Sequence, residues 1–234
     1  YNDWPLQHQA ADWIILHGDN FAKSTYRENN ILNIHAPVFI KEQNKNILVN
    51  EWSIKHQNYL WFGSTGAIHK GLDLVLDAFH NLKDVNLHIC GNIESEERFF
   101  EHYKTSLNNN ANINYYGYVD INTELFDDII NKCAYIIFPS ASEGNSPSVI
   151  TCMANGGLIP IVTKSADVDI SNFGIEIKEL NIKSVEDAIK ASQQLSISEL
   201  IKQSKEIQNL TQKIHTFDYF EKDISKKLEG ILKK

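Results

Sequence analysis

FPSASEGNSPSVITCMANGG, residues 138–157, reads as the end of a strand, a loop with one carboxylate, Glu143, and a sharply started helix. The apolar run 134–138 ahead of the loop suits a strand buried on both faces, the usual state in a parallel sheet. Ser146 takes the N-cap position and Pro147 the first helical position, where an N–H is not needed. Gly156-Gly157 supplies the stop. The N–H groups of residues 147–149 are expected to point back at the loop, an anion site beside a hydrogen-bonding carboxylate. A phosphorylated sugar has both needs.

Outward from this stretch, the chain is regular from Tyr59 on. Strands are expected at 59–62, 86–90, 113–116, 134–138, 158–162 and 174–177, with helices at 70–82, 95–107, 122–132, 147–155 and 183–193. Leu72, Val75, Leu76 and Phe79 keep helical spacing, as do Leu125, Phe126, Ile129 and Ile130. Strands that alternate with such helices imply right-handed βαβ units, an α/β fold of Rossmann-like parallel sheet with flanking helices. Before residue 59 the pattern is irregular: short strands at 12–16 and 31–35, then a linker at 36–56 around Pro37 and polar clusters. The tail 196–232 reads as helix, with one apolar stripe of Ile197, Leu200, Ile201 and Ile207 and another of Phe217, Phe220, Ile224 and Leu228.

The first strand of the regular part runs into Gly63-Ser64-Thr65-Gly66-Ala67-Ile68-His69-Lys70-Gly71. Gly63 and Gly66 let the backbone approach a ligand, and Lys70 at the mouth of the next helix can hold a diphosphate. The loop matches neither a Walker A motif, which needs Gly-Lys and then Ser or Thr, nor GxGxxG. Alone it is a weak signal, since a lysine at a helix start is commonly a solvated charge. His69 reads as a structural or surface residue.

Composition narrows the classes. The chain has 234 residues, 42% of them hydrophobic, enough for one large domain or one domain with a remnant of another. A net charge of −8 argues against a general binder of nucleic acid or anionic membranes, so an anionic ligand must be met by local donors. Cys90, Cys133 and Cys152 lie in apolar surroundings and read as core residues of a reducing compartment. No stretch approaches the ~20 apolar residues of a membrane span. The histidines are scattered and no Asp-x-Asp stands near a strand end, so no metal site is expected. The opening on Tyr1 rather than Met is read as that of a fragment.

Together the two loops resemble the donor-binding, C-terminal domain of GT-B glycosyltransferases, in particular the retaining family 4. The likeness rests on Phe62-Gly63 followed by Lys70-Gly71-Leu72-Asp73, Gly91 at a strand end, Tyr116-Gly117-Tyr118-Val119, Pro139-Ser140-x-x-Glu143-Gly144, the helix from Pro147, and Gly156-Gly157-Leu158-Ile159-Pro160. It covers residues 59–180, while 11–38 look like the end of the family's N-terminal, acceptor-binding domain. The implied division is a remnant and linker at 1–58, a nucleotide-sugar domain at 59–195 and C-terminal helices at 196–234.

The resemblance implies roles residue by residue. Lys70 and Glu143 are the catalytic pair, Lys70 on the donor diphosphate and Glu143 on hydroxyls of the transferred sugar. Gly63, Ser64, Thr65 and Gly66 line the diphosphate, and Gly91 and Asn92 border the nucleotide. Tyr118 and Val119 contact the base, while Gly144, Asn145, Ser146, Pro147 and Ser148 line phosphate and sugar. Two positions depart from the pattern. Ser64 stands where the family often has Arg. Thr151 takes the second place of a Glu-x7-Glu pair, where a hydroxyl can make one ribose bond at most.

The implied activity is metal-independent, cofactor-free transfer of a sugar from a nucleotide-diphosphate sugar to a saccharide or lipid-linked acceptor. Family habit places it in bacterial cell-surface polysaccharide synthesis, in the cytoplasm or at the inner face of the membrane through the missing domain. The chain alone is expected to turn over slowly, because the acceptor half is mostly absent, and the apolar stripes of the C-terminal helices, which would dock on that half, are expected to be partly exposed as a self-association surface. A catalytically silent nucleotide-sugar-binding module stays open beside this reading, and a sugar-nucleotide epimerase trails for want of an acid/base set.

Overall fold

The computed structural model describes residues 11–18, 20–24, 30–41, 49–170 and 173–233. Among the described residues there are two sheets. Strands β1 (Trp13–His17) and β2 (Asn30–Ile34) pair in parallel, with the short helix α1 (Asn20–Ser24) between them. After α2 (Val49–Lys55) comes a six-stranded parallel sheet of β3 (Asn58–Phe62), β4 (Asn86–Cys90), β5 (Ile113–Tyr115), β6 (Tyr135–Phe138), β7 (Ile159–Thr163) and β8 (Ile175–Ile177), in the order β5-β4-β3-β6-β7-β8. The intervening helices are α3 (Leu72–Asn81), α4 (Glu97–Asn109), α5 (Glu124–Lys132), α6 (Pro147–Gly156) and α7 (Ile182–Ser192). Two long helices, α8 (Ile197–Ile214) and α9 (Phe217–Leu232), close the chain.

Each expected strand and helix of the regular part is present within one or two residues of its expected bounds. The sequence reasons are local. β6 and β7 are buried at every position, as central strands covered on both faces must be. Helix α5 starts at Thr123, whose hydroxyl accepts the Phe126 N–H, and α8 starts with a capping box between Ser196 and Glu199. Gly157, left-handed at φ 60°, ends α6. Inside the sheet, fully buried Trp61 of β3 stacks on Phe138 of β6 with ring centroids 5.9 Å apart. Burying one such ring contributes ~2–3 kcal/mol, and this contact fixes the two strands from which the candidate site grows.

Two expectations are corrected. Residues 49–55, read as part of a linker, form α2, because Trp52 is 6% exposed and sits in the main core; residues 42–48 of that linker lie outside the described residues. The expected C-terminal helices are two, broken where Thr216 caps the second through the Tyr219 N–H. The α8 stripe faces inward against α6, with Leu200 and Ile207 fully buried, so it is not a free surface. Only α9 keeps an open stripe: it lies along β2, Phe217 is 64% exposed and Leu232 85%. The three cysteines are free and buried, and burial raises all three thiols, Cys90 to about 12. They are inert core atoms. Among the described residues no helix is long and apolar enough to cross a membrane.

Candidate functional site

The strand order reverses at β3. From there β4 and β5 extend to one side, and β6, β7 and β8 to the other. The loops after β3 and β6 therefore leave the carboxyl edge of the sheet on either side of this switch point, where an open parallel sheet has its ligand crevice.

The loop after β3 is shaped by close packing. A Cβ on Gly63 would lie 2.5 Å from the Trp61 ring, and one on Gly91 would lie 3.0 Å from the Gly63 carbonyl oxygen. No larger residue fits either strand end without displacing its neighbour. Residues 67–71 then form a turn that runs into α3, with the Lys70 N–H on Gly66 O at 2.9 Å and the Leu72 N–H on Ala67 O at 2.9 Å. Gly71 has φ 69°, and a Cβ there would meet Pro139 O at 2.2 Å. The two loops thus touch backbone to backbone at this point. The Ala141 N–H reinforces the contact by donating to His69 O at 2.9 Å.

The loop after β6 is anchored from below. Ser140 O accepts the hydroxyls of Thr163 at 2.6 Å and Ser165 at 2.7 Å. The N–H of Glu143 donates to Ser165 O at 2.9 Å and that of Ser146 to Ala166 O at 3.3 Å. Asn145 is buried in the left-handed region at φ 62°, a conformation that Asn tolerates better than most residues. These anchors hold Glu143 against the first loop. Its Oε1 lies 3.1 Å from Lys70 Nζ and 4.0 Å from His69 Nε2, and the Lys70 and Glu143 side chains are each 16% exposed.

Two oxygens here lack hydrogen-bond partners. Glu143 Oε1 is enclosed and is met by the Lys70 ammonium as an ion pair. Ser146 Oγ is also enclosed, in a residue 1% exposed. Ser146 therefore stands at the N-cap of α6 without making the expected side-chain cap. Leaving the Ser146 hydroxyl unpaired costs about 1–3 kcal/mol, and such an orphan on the loop that carries Glu143 marks a place built for a ligand's donor.

The other expected site residues are placed as follows. Ser64, Thr65 and Asn92 are exposed around the mouth, with Gly91 behind them at the β4 end. Tyr118 is 72% exposed, whereas Val119 is 4% exposed and packs in the core, so its side chain is not available to a base. Gly144 is exposed, with His17 O of β1 only 3.2 Å from where its Cβ would be, which brings the β1 end against this loop. Thr151, one turn into α6, is 8% exposed. Of the amides expected at 147–149, Pro147 has no N–H and the Val149 N–H is taken by Ser146 O at 3.1 Å, which leaves Ser148. The Gly66 N–H is also taken, by Glu96 Oε1 at 2.7 Å. Glu96 was not singled out from the sequence; its only signal there is an acidic residue just ahead of a helix, and such a residue does not reveal which loop it caps.

Two further spaces are lined by described residues. A cavity of about 40 Å³ behind Asn145, with His35, Asp167 and His215 in its wall, has room for a water or two. A groove of about 410 Å³ between Leu82, Val85 and Ile189 lies at the opposite, amino edge of the sheet. Among the described residues no group of three or more His, Cys, Asp or Glu converges as metal ligands would.

A family model described as Glycosyl transferases group 1 matches residues 44–168. No curated protein matches in sequence. Among solved structures, a glycosyltransferase from Rickettsia africae aligns with a TM-score of 0.72 at 14% identity, over 100% of this chain and 68% of that one. Anabaena Alr3699/HepE in complex with UDP and glucose aligns at 0.71 and 12% identity, over 97% of this chain and 65% of that one. The pneumococcal O-GlcNAc transferase GtfA in complex with UDP and GlcNAc aligns at 0.62 and 16%, over 100% of this chain and 48% of that one. The chain thus spans from about half to two thirds of the length of these structures, and at such identities the likeness is one of fold.

Proposed function

The chain belongs to the glycosyl transferases group 1 family, and on that premise we propose that it binds a nucleoside-diphosphate sugar in the crevice between the loops after β3 and β6. The observation that carries the reading is the ion pair of Lys70 with Glu143 Oε1, on the same loop as an enclosed, unpartnered oxygen, Ser146 Oγ. A sugar hydroxyl donates to Glu143, a second ligand group meets Ser146, and the Lys70 ammonium turns to the diphosphate. Uridine diphosphate is the nucleotide in the Anabaena and pneumococcal structures, which favours a UDP-sugar.

In the proposed reaction the bond from the sugar's anomeric carbon to the diphosphate oxygen breaks, and an acceptor hydroxyl forms the new bond from the same face. Negative charge gathers on the leaving phosphate, where the turned Lys70 ammonium and the amide end of α6 meet it. Glu143 orients the sugar and faces the positive charge that develops on its ring. The acceptor hydroxyl's proton leaves with the diphosphate or solvent. We assign this chemistry to protein groups without metal or cofactor, to the retaining stereochemistry of family 4, and to cytoplasmic cell-surface polysaccharide assembly in a bacterium, with a saccharide or lipid-linked acceptor.

Calorimetric titration with UDP-, GDP- and ADP-sugars tests the reading. Selective binding of one sugar nucleotide, unaffected by EDTA, is the expected result. Absence of binding to all three would remove it. Slow transfer by this chain alone, faster in a form with an acceptor half, is the matching expectation for turnover.

A further inference from the structure

The turn that carries Lys70 is held at its start by a carboxylate that the transfer chemistry does not use. Residues 67–71 form one turn ahead of α3, and the first N–H groups of such a turn find no partner inside it. Glu96, the residue just before α4, accepts them. Its Oε1 takes the Gly66 N–H at 2.7 Å and the Ala67 N–H at 3.0 Å, and its Oε2 takes the Ala67 N–H at 3.2 Å. The far end of the turn is fixed by other bonds: Trp61 Nε1–H donates to Lys70 O at 3.3 Å and the Ala141 N–H to His69 O. The beginning depends on Glu96.

That beginning matters because the Lys70 side chain folds back over it. A Cβ built on Gly66 would lie 3.6 Å from Lys70 Nζ. Gly66 itself has φ 89°, a backbone state with many alternatives for glycine, so something must select it. The Glu96 carboxylate does so, and it also fills a pair of adjacent loop amides that could otherwise attract a phosphate.

We propose that Glu96 is a positioning residue for donor binding: it fixes the Gly66–Ala67 end of the turn so that the Lys70 ammonium, and not the loop amides, receives the diphosphate. The proposal rests on the nucleotide-sugar reading of the site. It assigns Glu96 a role through hydrogen-bond geometry, not through charge. A glutamine, whose amide oxygen can accept the same two N–H groups, should therefore serve nearly as well.

The test is UDP titration of the full chain by calorimetry for wild type, Glu96→Ala, Glu96→Gln, Lys70→Ala and the double variant Glu96→Ala/Lys70→Ala. Loss of one such cap corresponds to about tenfold in affinity, so Glu96→Ala should bind UDP about tenfold more weakly and Glu96→Gln within about threefold of wild type. Because Glu96 acts through Lys70, its removal should cost nothing further in the Lys70→Ala background. Fully additive losses would reduce Glu96 to a general structural role and overturn the proposal. Unchanged binding in Glu96→Ala would overturn it too, and tighter binding would show the carboxylate competing with phosphate. Failure of wild type to bind UDP or any other nucleotide would remove the donor reading and this proposal together, whereas the other adverse results leave the donor reading standing.

Discussion

Lys70 Nζ stands 3.1 Å from Glu143 Oε1, and the contact joins the turn after β3 to the loop after β6. One partner can leave for a phosphate while the other keeps an oxygen open to a hydroxyl. Charge and hydrogen bonding for the two halves of a sugar nucleotide are thus divided between two residues on two loops.

The division predicts separable losses. Lys70→Ala should weaken UDP and UDP-sugar alike by at least about tenfold, since a charge-assisted bond contributes roughly 1.5–3 kcal/mol. Glu143→Gln should leave UDP binding intact and reduce the affinity for UDP-sugar toward that for UDP. Calorimetry on both ligands checks this; a Glu143→Gln variant that loses UDP itself would contradict the assignment.

Gly71→Ala should damage stability and binding together. Its Cβ would meet Pro139 O at 2.2 Å and its backbone sits at φ 69°, so the loops must part or the chain must strain. A loss of about 2–4 kcal/mol is expected, read by urea unfolding. A near-native midpoint would mean that the loops do not pack this tightly in solution.

His88 makes stability fall in mild acid. Its ring is buried between Tyr116 OH at 2.9 Å and Asn58 Oδ1 at 3.0 Å, and burial, aided by the Lys132 charge, lowers its pKa from 6.5 to about 4. The unfolded chain therefore binds more protons between those values, so stability rises with pH across the window and is lost as pH falls from 6.5 toward 4. The full effect is about 3 kcal/mol by linkage, and His215, also lowered by burial, adds in the same direction. Unfolding free energies from pH 4 to 7 should slope less in His88→Gln than in wild type.

Lys55 should be improvable. It is 2% exposed, its Nζ has no hydrogen-bond acceptor and lies 4.6 Å from the centroid of the Trp52 ring, and burial lowers its pKa to about 8. At pH 7 the fold must hold a charge it poorly accommodates, and the lowered pKa means stability gained as pH rises from 8 to 10.5. Lys55→Met is expected to raise stability at pH 7 by about 1–3 kcal/mol, with the gain shrinking by pH 10.5. A lower melting temperature at pH 7 would show that the ammonium contributes more over Trp52 than its burial costs.

Much of the fold was legible because its signals are local. Buried runs such as 134–138, apolar spacing such as Leu72-Val75-Leu76-Phe79 and stops such as Gly156-Gly157 act within one turn or one strand, where sequence distance and spatial distance agree. The misreadings share the opposite property. Helix α2 looked like a linker because its neighbours are polar, and it holds because Trp52 reaches a core built from later residues. The Ser146 cap failed because the loop's anchors to Ser165 and Ala166 set its backbone before the helix begins.

By itself the sequence determined an alternating α/β chain and named Lys70 and Glu143 as the residues to watch. It did not bring them together. Their meeting depends on β6 lying beside β3 in the sheet, on the Gly71–Pro139 contact that brings the loops side by side, and on Glu96 reaching across from the start of α4. Those are contacts between distant parts of the chain, selected by packing of the whole sheet, and no local pattern encodes them.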